Sequence, residues 1–283
     1  MFKKILFKFY ELILSFDKSY GVKKYTLYEA SKIQKKILLN LLSKSSNTKF
    51  GLDHDFKSIK SYKDFKKKIP IRDYEQFKDY IQLVKLGKED ILWPGKPIYF
   101  AKTSGTTSGI KYIPVSKESI KNQVKSAGYL LFDYLREKNN LESIKGKAMF
   151  ISGSPSLTEE NEIKIGRLSG IVNHHEPFYL KGMLLPSKET NKIKNWEKKI
   201  EKIVEETVGQ DLRIIGGIPP WIQMYFDILI LKTGKKVKDI FPNLKLICHG
   251  GVNFEPYKSN LFNSIGKEID TLETFPASEG FFA

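Results

Sequence analysis

The apolar positions of this chain change their spacing near residue 90. Before it they recur every three or four residues, the period of a helix with one buried face. Phe2, Ile5, Leu6, Phe9, Ile13 and Phe16 form one such set, and Ile33, Ile37, Leu38, Leu41 and Leu42 another. Lys8 and Glu11 interrupt the first set, whereas a secretory signal needs an unbroken apolar stretch of about 7–15 residues. An amphipathic helix packed on its own protein is the reading, in preference to a membrane-surface helix. The run Ile69 to Tyr74 predicts an extended turn into a further helix, with Asp73 as N-cap and an end near Gly87. No stretch approaches the ~20 apolar residues of a membrane span.

After Trp93-Pro94-Gly95-Lys96-Pro97, a loop by its Pro and Gly content, the pattern alternates between short apolar runs and helical periods. Strands are predicted at 98–101, 148–151, 212–215, 244–248 and 268–274. Helices are predicted at 191–208, 219–231 and 255–265, with prolines tolerated in the first turn at Pro219. The segment from Ser152 to Ser187 is the least regular. Strand, helix, strand, helix, strand in succession favours an α/β fold with a parallel sheet. Ligands of open parallel sheets bind outside the carboxyl ends of the strands. Gly216-Gly217, His249-Gly250-Gly251 and Ser278-Glu279-Gly280 all fall at such ends and are expected to converge on one crevice.

Composition narrows the choices. The 283 residues are 41% hydrophobic and 13% aromatic, ordinary for a globular chain and unlike a disordered or fibrous one. A single cysteine, Cys248, excludes an internal disulfide and a multi-thiolate metal site and makes the cytosol the default compartment. The net charge of +16 raises the question of nucleic acid. Only Arg72, Arg136, Arg167 and Arg213 are arginines, so 44 of the 48 basic residues are lysines spread along the chain. Arginine is the residue that reads bases bidentately and stacks on them, so its scarcity weakens a nucleic-acid partner.

The strongest chemical signal is Lys102-Thr103-Ser104-Gly105-Thr106-Thr107-Ser108-Gly109-Ile110-Lys111. Hydroxyl residues and glycines fill the seven positions from Thr103 to Gly109. Such a loop presents backbone N–H groups and hydroxyls to phosphate oxygens, and Lys111 adds a point charge. The spacing is neither that of the common P-loop nor G-x-G-x-x-G. A flexible Ser/Thr/Gly loop is the plainer alternative.

With its flanks, this loop resembles a known family. The residues are Leu92 to Pro97, Thr103 to Pro114, Gly216 to Trp221, His249 to Val252 and Ala277 to Gly280. Together they are similar to the auxin-responsive promoter (Gretchen Hagen three) family of acyl acid amido synthetases, in its bacterial branch. That family lies within the ANL adenylate-forming superfamily. The resemblance runs from about Ser31 to the last residue. It implies an ANL-like large domain, with residues 1–90 a mainly helical region and 91–283 the α/β nucleotide-binding part of the same incomplete adenylation domain. It implies ATP and Mg²⁺ as cofactors, and a small-molecule carboxylic acid and an amine or amino acid as partners, with no nucleic acid and no membrane insertion. The acid becomes an acyl-adenylate, which the amine then attacks.

Carried over by position, the resemblance assigns Ser104, Thr106, Thr107 and Lys111 to the β- and γ-phosphates, with Thr103, Gly105 and Gly109 in the same loop. Gly250, Gly251 and Val252 line the adenine and acyl side, Thr274 and Ser278 contact AMP, and Glu279 holds Mg²⁺. Lys111 and Glu279 are the implied catalytic residues, since lysine and ion together neutralise the departing pyrophosphate. Trp221 and His249 are substrate-binding candidates. Phe275 stands near the place of a family tyrosine, and Pro276 is unusual there. Family members continue past this point into an Asp for the ribose and a small C-terminal domain, so the 283 residues read as a fragment.

Plainer readings stand beside these. His174 and His175 are neighbours and cannot share a face, so they are expected at the surface rather than on a metal. Cys248 reads as core, with His249 facing the other way along a strand. Trp221 is equally a core aromatic opening a helix. G-x-S-x-G is absent, which disfavours a serine hydrolase. Two other functions stay open: a degenerate module that binds nucleotide or acid without turnover, and a basic nucleic-acid binder.

Overall fold

The computed structural model describes residues 27–103, 109–176, 180 and 182–282. The amphipathic set at Phe2 to Phe16 and the loop residues Ser104, Gly105, Thr106, Thr107 and Ser108 lie outside them. Ten strands follow in chain order: β1 Tyr99–Thr103, β2 Lys111–Val115, β3 Lys147–Phe150, β4 Thr158–Glu160, β5 Ile163–Gly166, β6 Leu184–Leu185, β7 Leu212–Gly217, β8 Leu246–Gly250, β9 Asp270–Ala277 and β10 Gly280–Phe282. The described residues divide into two compact units, 27–121 with 157–168, and 122–156 with 169–282. No described helix is long and apolar enough to cross a membrane.

The first unit opens on the helix Leu27–Lys44, which carries the helical set Ile33 to Leu42. The helix Tyr74–Lys85 starts on the predicted cap. Asp73 accepts from the N–H of Gln76, and the Gln76 side chain accepts from the N–H of Asp73. This reciprocal capping box satisfies two donors that the first turn would otherwise leave without partners. Asp73→Ala is expected to destabilise the fold by about 1 kcal/mol, read as a lower urea midpoint at unchanged slope.

The sheet of this unit runs β2-β1-β5-β4. β1 and β2 form an antiparallel hairpin in which Thr103 faces Lys111. β2 is not among the strands predicted from the pattern. Pro114 stands on the edge strand of the sheet, where its missing N–H removes no ladder bond. β4 and β5 turn over Asn161 and Glu162, both at positive φ (50° and 68°), the geometry of a tight hairpin turn. Ile81, Val84, Ile91, Phe100, Ile163 and Ile165 make the buried core.

The second unit is a six-stranded sheet in the order β10-β9-β8-β7-β3-β6. From β6 to β9 every pairing is parallel. Side chains alternate between its two faces, as the pleat requires. Met149, Ile215 and Ile247 pack with Ile200, Ile203, Phe226, Leu229, Leu261 and Ile265 from the helices Trp196–Thr207, Pro219–Thr233 and Glu255–Ile265. Ile214, Leu246 and Cys248 face the other way, against Tyr134 and Leu135 of the helix Lys117–Glu137. A parallel sheet covered by helices on both faces is the α/β architecture expected from the alternation.

Two local expectations are corrected. The helix predicted over 191–208 is broken into Lys188–Asn191 and Trp196–Thr207, because the Asn195 side chain caps the second piece by accepting from the N–H of Lys198 at 2.8 Å. The last glycine turn does not lead out of a strand end into a loop. β9 runs on to Ala277, and the chain reverses at Ser278-Glu279 into antiparallel β10.

Candidate functional site

The site candidates of the second unit lie along one edge of the parallel sheet. β7, β8 and β9 are neighbours, with Gly217 opposite His249 and Gly250 opposite Thr274. Parallel strands present their carboxyl ends on the same side. The turns after Gly217 and Gly250 therefore open together, two of the three turns expected to converge; Ser278-Glu279-Gly280 instead lies at the β9–β10 hairpin beyond Ala277.

Glycine is required at the centre of this edge. A Cβ on Gly250 would lie 1.9 Å from the carbonyl oxygen of Thr274, so the strands meet there only because no side chain intervenes. Gly251 turns the chain away at φ +82°, a conformation costly for other residues. The Thr274 hydroxyl donates to the carbonyl of His249 at 3.1 Å and ties the edge across the two strands. Val252 follows, exposed.

His249 is buried, only 4% exposed, and its ring lies flat on Phe254 with centroids 3.9 Å apart. It shares the sheet face of Ile247 and points away from Cys248, as strand alternation requires. Burial pushes its pKa below the usual range, against the opposing pull of Glu273 and Glu255, and favours the neutral ring. Its Nδ1 is buried without a hydrogen-bond partner among the described residues. The Cys248 thiol is pushed up to about 12 by burial, which makes it a poor nucleophile. Trp221 packs at 4.6 Å on Trp196 against the core. His174 is exposed, and its Nε2 meets the carbonyl of Pro155 at 2.9 Å.

Ser278 and Glu279 stand at the tip of the β9–β10 hairpin. Thr274 pairs with Gly250 four residues earlier, so the tip projects roughly 13 Å beyond that pair at ~3.3 Å per strand residue. The carbonyl of Ser278 accepts from Nε2 of Gln123, a buried side chain on the helix Lys117–Glu137, at 3.5 Å. Glu279 is exposed and makes no ion pair with another described residue.

In the first unit, Thr103 and Lys111 close the β1–β2 hairpin, and Gly109 enters it at φ +85°. Lys111 Nζ lies 5.6 Å from the centre of the Tyr74 ring, and the Tyr74 hydroxyl accepts from the N–H of Tyr112 at 2.9 Å. Lys102 and Lys85 reach over the Tyr112 ring at 5.8 and 4.3 Å. Three ammonium groups thus gather where the phosphate-type loop begins and ends. The loop residues Ser104, Gly105, Thr106 and Thr107 are outside the described set.

One residue of the second unit escaped the sequence reading. Lys199 is 1% exposed inside the stripe Trp196, Ile200, Ile203, Val204 and Thr207. A lysine at an apolar position of a helical stripe was the signal, and the surplus of lysines masked it.

The fold and the glycine edge define a class. A 2-hydroxyisobutyryl-CoA ligase, solved with its acyl-AMP and CoA, superposes over 89% of this chain and 54% of its own at a TM-score of 0.55 and 11% identity. The GH3.15 acyl acid amido synthetase superposes over 90% of this chain and 55% of its own at a TM-score of 0.68 and 13% identity. The fold is therefore that of the adenylate-forming enzymes. Residues 24–194 match the GH3 family N-terminal domain, and the chain belongs to that family, the auxin-responsive promoter or Gretchen Hagen three family. Over 101 residues it is 35% identical to the indole-3-acetic acid-amido synthetase GH3.4 of Arabidopsis thaliana, a match covering 35% of this chain and 17% of that protein. The chain thus spans about half the length of the solved relatives.

Proposed function

We propose that this chain serves the ATP-dependent activation of a carboxylic acid and its transfer to an amine or amino acid. In the first step a carboxylate oxygen attacks the α-phosphorus of ATP, and pyrophosphate leaves. In the second the amine nitrogen attacks the acyl carbon, AMP leaves, and the nitrogen gives up a proton. A carboxylate is a poor electrophile, and AMP makes it a good one by supplying a stable leaving group. The observation that carries this reading is the sheet edge, where Gly217, His249, Gly250 and Thr274 come from three adjacent parallel strands in direct register.

The residues fit the groups they are assigned. Gly250 and Gly251 leave a bare main-chain surface, suited to a base and an acyl group. Thr274 keeps its lone pairs to accept from AMP while its hydroxyl donates to the main-chain carbonyl of His249. Ser278 is assigned to AMP, and Ser104, Thr106, Thr107 and Lys111 to the β- and γ-phosphates. No group of three or more metal-ligating side chains occurs among the described residues. A single exposed carboxylate, Glu279, still fits Mg²⁺, which is ordinarily held by one or two carboxylates together with substrate phosphates. When bound, the ion would offset charge on the pyrophosphate oxygens.

ATP–pyrophosphate exchange over a panel of carboxylic acids tests the reading. Exchange is expected only with an acid present, lost with EDTA and restored by Mg²⁺. ATP binding with no acid-dependent exchange would instead favour a binding module without turnover. Steeply salt-dependent DNA binding, indifferent to Lys111→Ala, would favour a nucleic-acid binder.

A further inference from the structure

The helix Trp196–Thr207 turns an apolar stripe to the sheet, and Lys199 interrupts it. Burying an ammonium ion is unfavourable unless its donors are met, and an apolar residue of the same length would serve packing better. Among the described residues Nζ meets no carboxylate. It donates to main-chain carbonyls only: Ser152 at 2.8 Å, Asn191 at 3.1 Å and, at the limit, Gly153 at 3.5 Å. The charge thus joins the chain leaving β3 to the helix end at Asn191.

The segment Ser152–Pro155 is held by side chains rather than by a strand ladder. Asn173 Nδ2 donates to Ser152 Oγ at 3.1 Å. Gly170 packs so closely that a Cβ there would lie 2.8 Å from the Ser154 carbonyl. This segment leaves the carboxyl end of β3, directly beside β7 and its Gly216-Gly217 turn. At ~4.8 Å between strands, β3 stands about 10 Å from β8 and about 14 Å from β9. Thr274, assigned to AMP, is on β9, and the substrate-binding candidate Trp221 opens the helix after β7, so the end of β3 lies on the acid side of the crevice.

We propose that Lys199 is a positioning residue that fixes the main chain of Ser152 and Gly153 as the wall of the acid subsite. It sets affinity for the carboxylic acid without touching it. This rests on the function proposed above. Burial lowers the pKa of Lys199 to about 8, so the ammonium is held in this site at a desolvation cost.

Two variants test the inference in the whole chain. Lys199→Met keeps the length and removes the donors. Asn173→Ala removes the second tether on Ser152 and leaves the core untouched, so it serves if Lys199→Met fails to fold. In both, amide hydrogen exchange over 150–156 is expected to accelerate by roughly tenfold or more, with β7 and β8 unchanged. The KM for the acid is expected to rise roughly tenfold while kcat and the KM for ATP stay within about threefold. Lys199→Arg, which keeps charge and donors, is expected to recover most of the acid affinity. Unchanged exchange over 150–156, or a KM for ATP that rises with that for the acid, would overturn the inference. A wild-type chain with no acid-dependent exchange would sink the proposed function, while the amide pattern would still decide whether Lys199 holds the segment.

Discussion

Lys111→Ala and Glu279→Ala are each expected to reduce acid-dependent ATP–pyrophosphate exchange by roughly 100- to 1,000-fold, the range for removing one electrostatic contact to developing charge. Neither change should move the melting temperature by much. Glu279 sits exposed on a hairpin tip with no ion pair to another described residue, so alanine there disturbs no packing. Lys111 is half-buried, and the contact it would lose is its approach to the Tyr74 ring, worth about 0.5–1 kcal/mol at such a site. The pair separates chemistry from stability. Wild-type exchange rates in either variant, with the protein folded, would remove that residue from the site. Lys111→Arg provides a further contrast. It keeps the charge but replaces a compact ammonium with a planar fork, and partial activity is the expected result.

Gly250→Ala is expected to act through the fold. The added methyl would meet a main-chain oxygen of the neighbouring strand, which cannot rotate aside as a flexible side chain would. Relief requires β8 and β9 to part beside the Thr274–His249 tie. Overpacking of this kind destabilises by about 1–3 kcal/mol, and a backbone clash belongs at the upper end. At roughly 2–4 °C per kcal/mol for a chain of this size, the melting temperature should fall by about 5–10 °C. Gly251→Ala gives the comparison. Its penalty is chiefly the positive φ, so a smaller fall is expected. Equal melting temperatures for Gly250→Ala and wild type would mean that the two strands do not approach as described.

Much of the second unit was legible because each signal was local. Glu255–Ile265 appears with its predicted bounds, and the strands ending in Gly217 and Gly250 appear within a few residues of theirs. Asp73 could be read as a cap because capping depends on the next three residues alone. The errors came where a distant partner decided the outcome. β2 was not among the predicted strands, and it exists because β1 offers an edge on which the missing N–H of Pro114 is harmless. The irregular span after Ser152 contributes β4 and β5 to the first unit, and β5 pairs with β1 more than sixty residues earlier in the chain.

The sequence by itself determined the class of fold, the glycine turns at the strand ends and the family they resemble, because periodicity and turn chemistry are written in neighbouring residues. Only the tertiary structure decided which strand lies beside which. It placed Gly250 against Thr274, seated His249 on Phe254 with one nitrogen unmet, and closed three carbonyls around Lys199. Those are contacts between residues far apart in the chain. Their energies depend on burial and on close approach, which spacing along a sequence does not record.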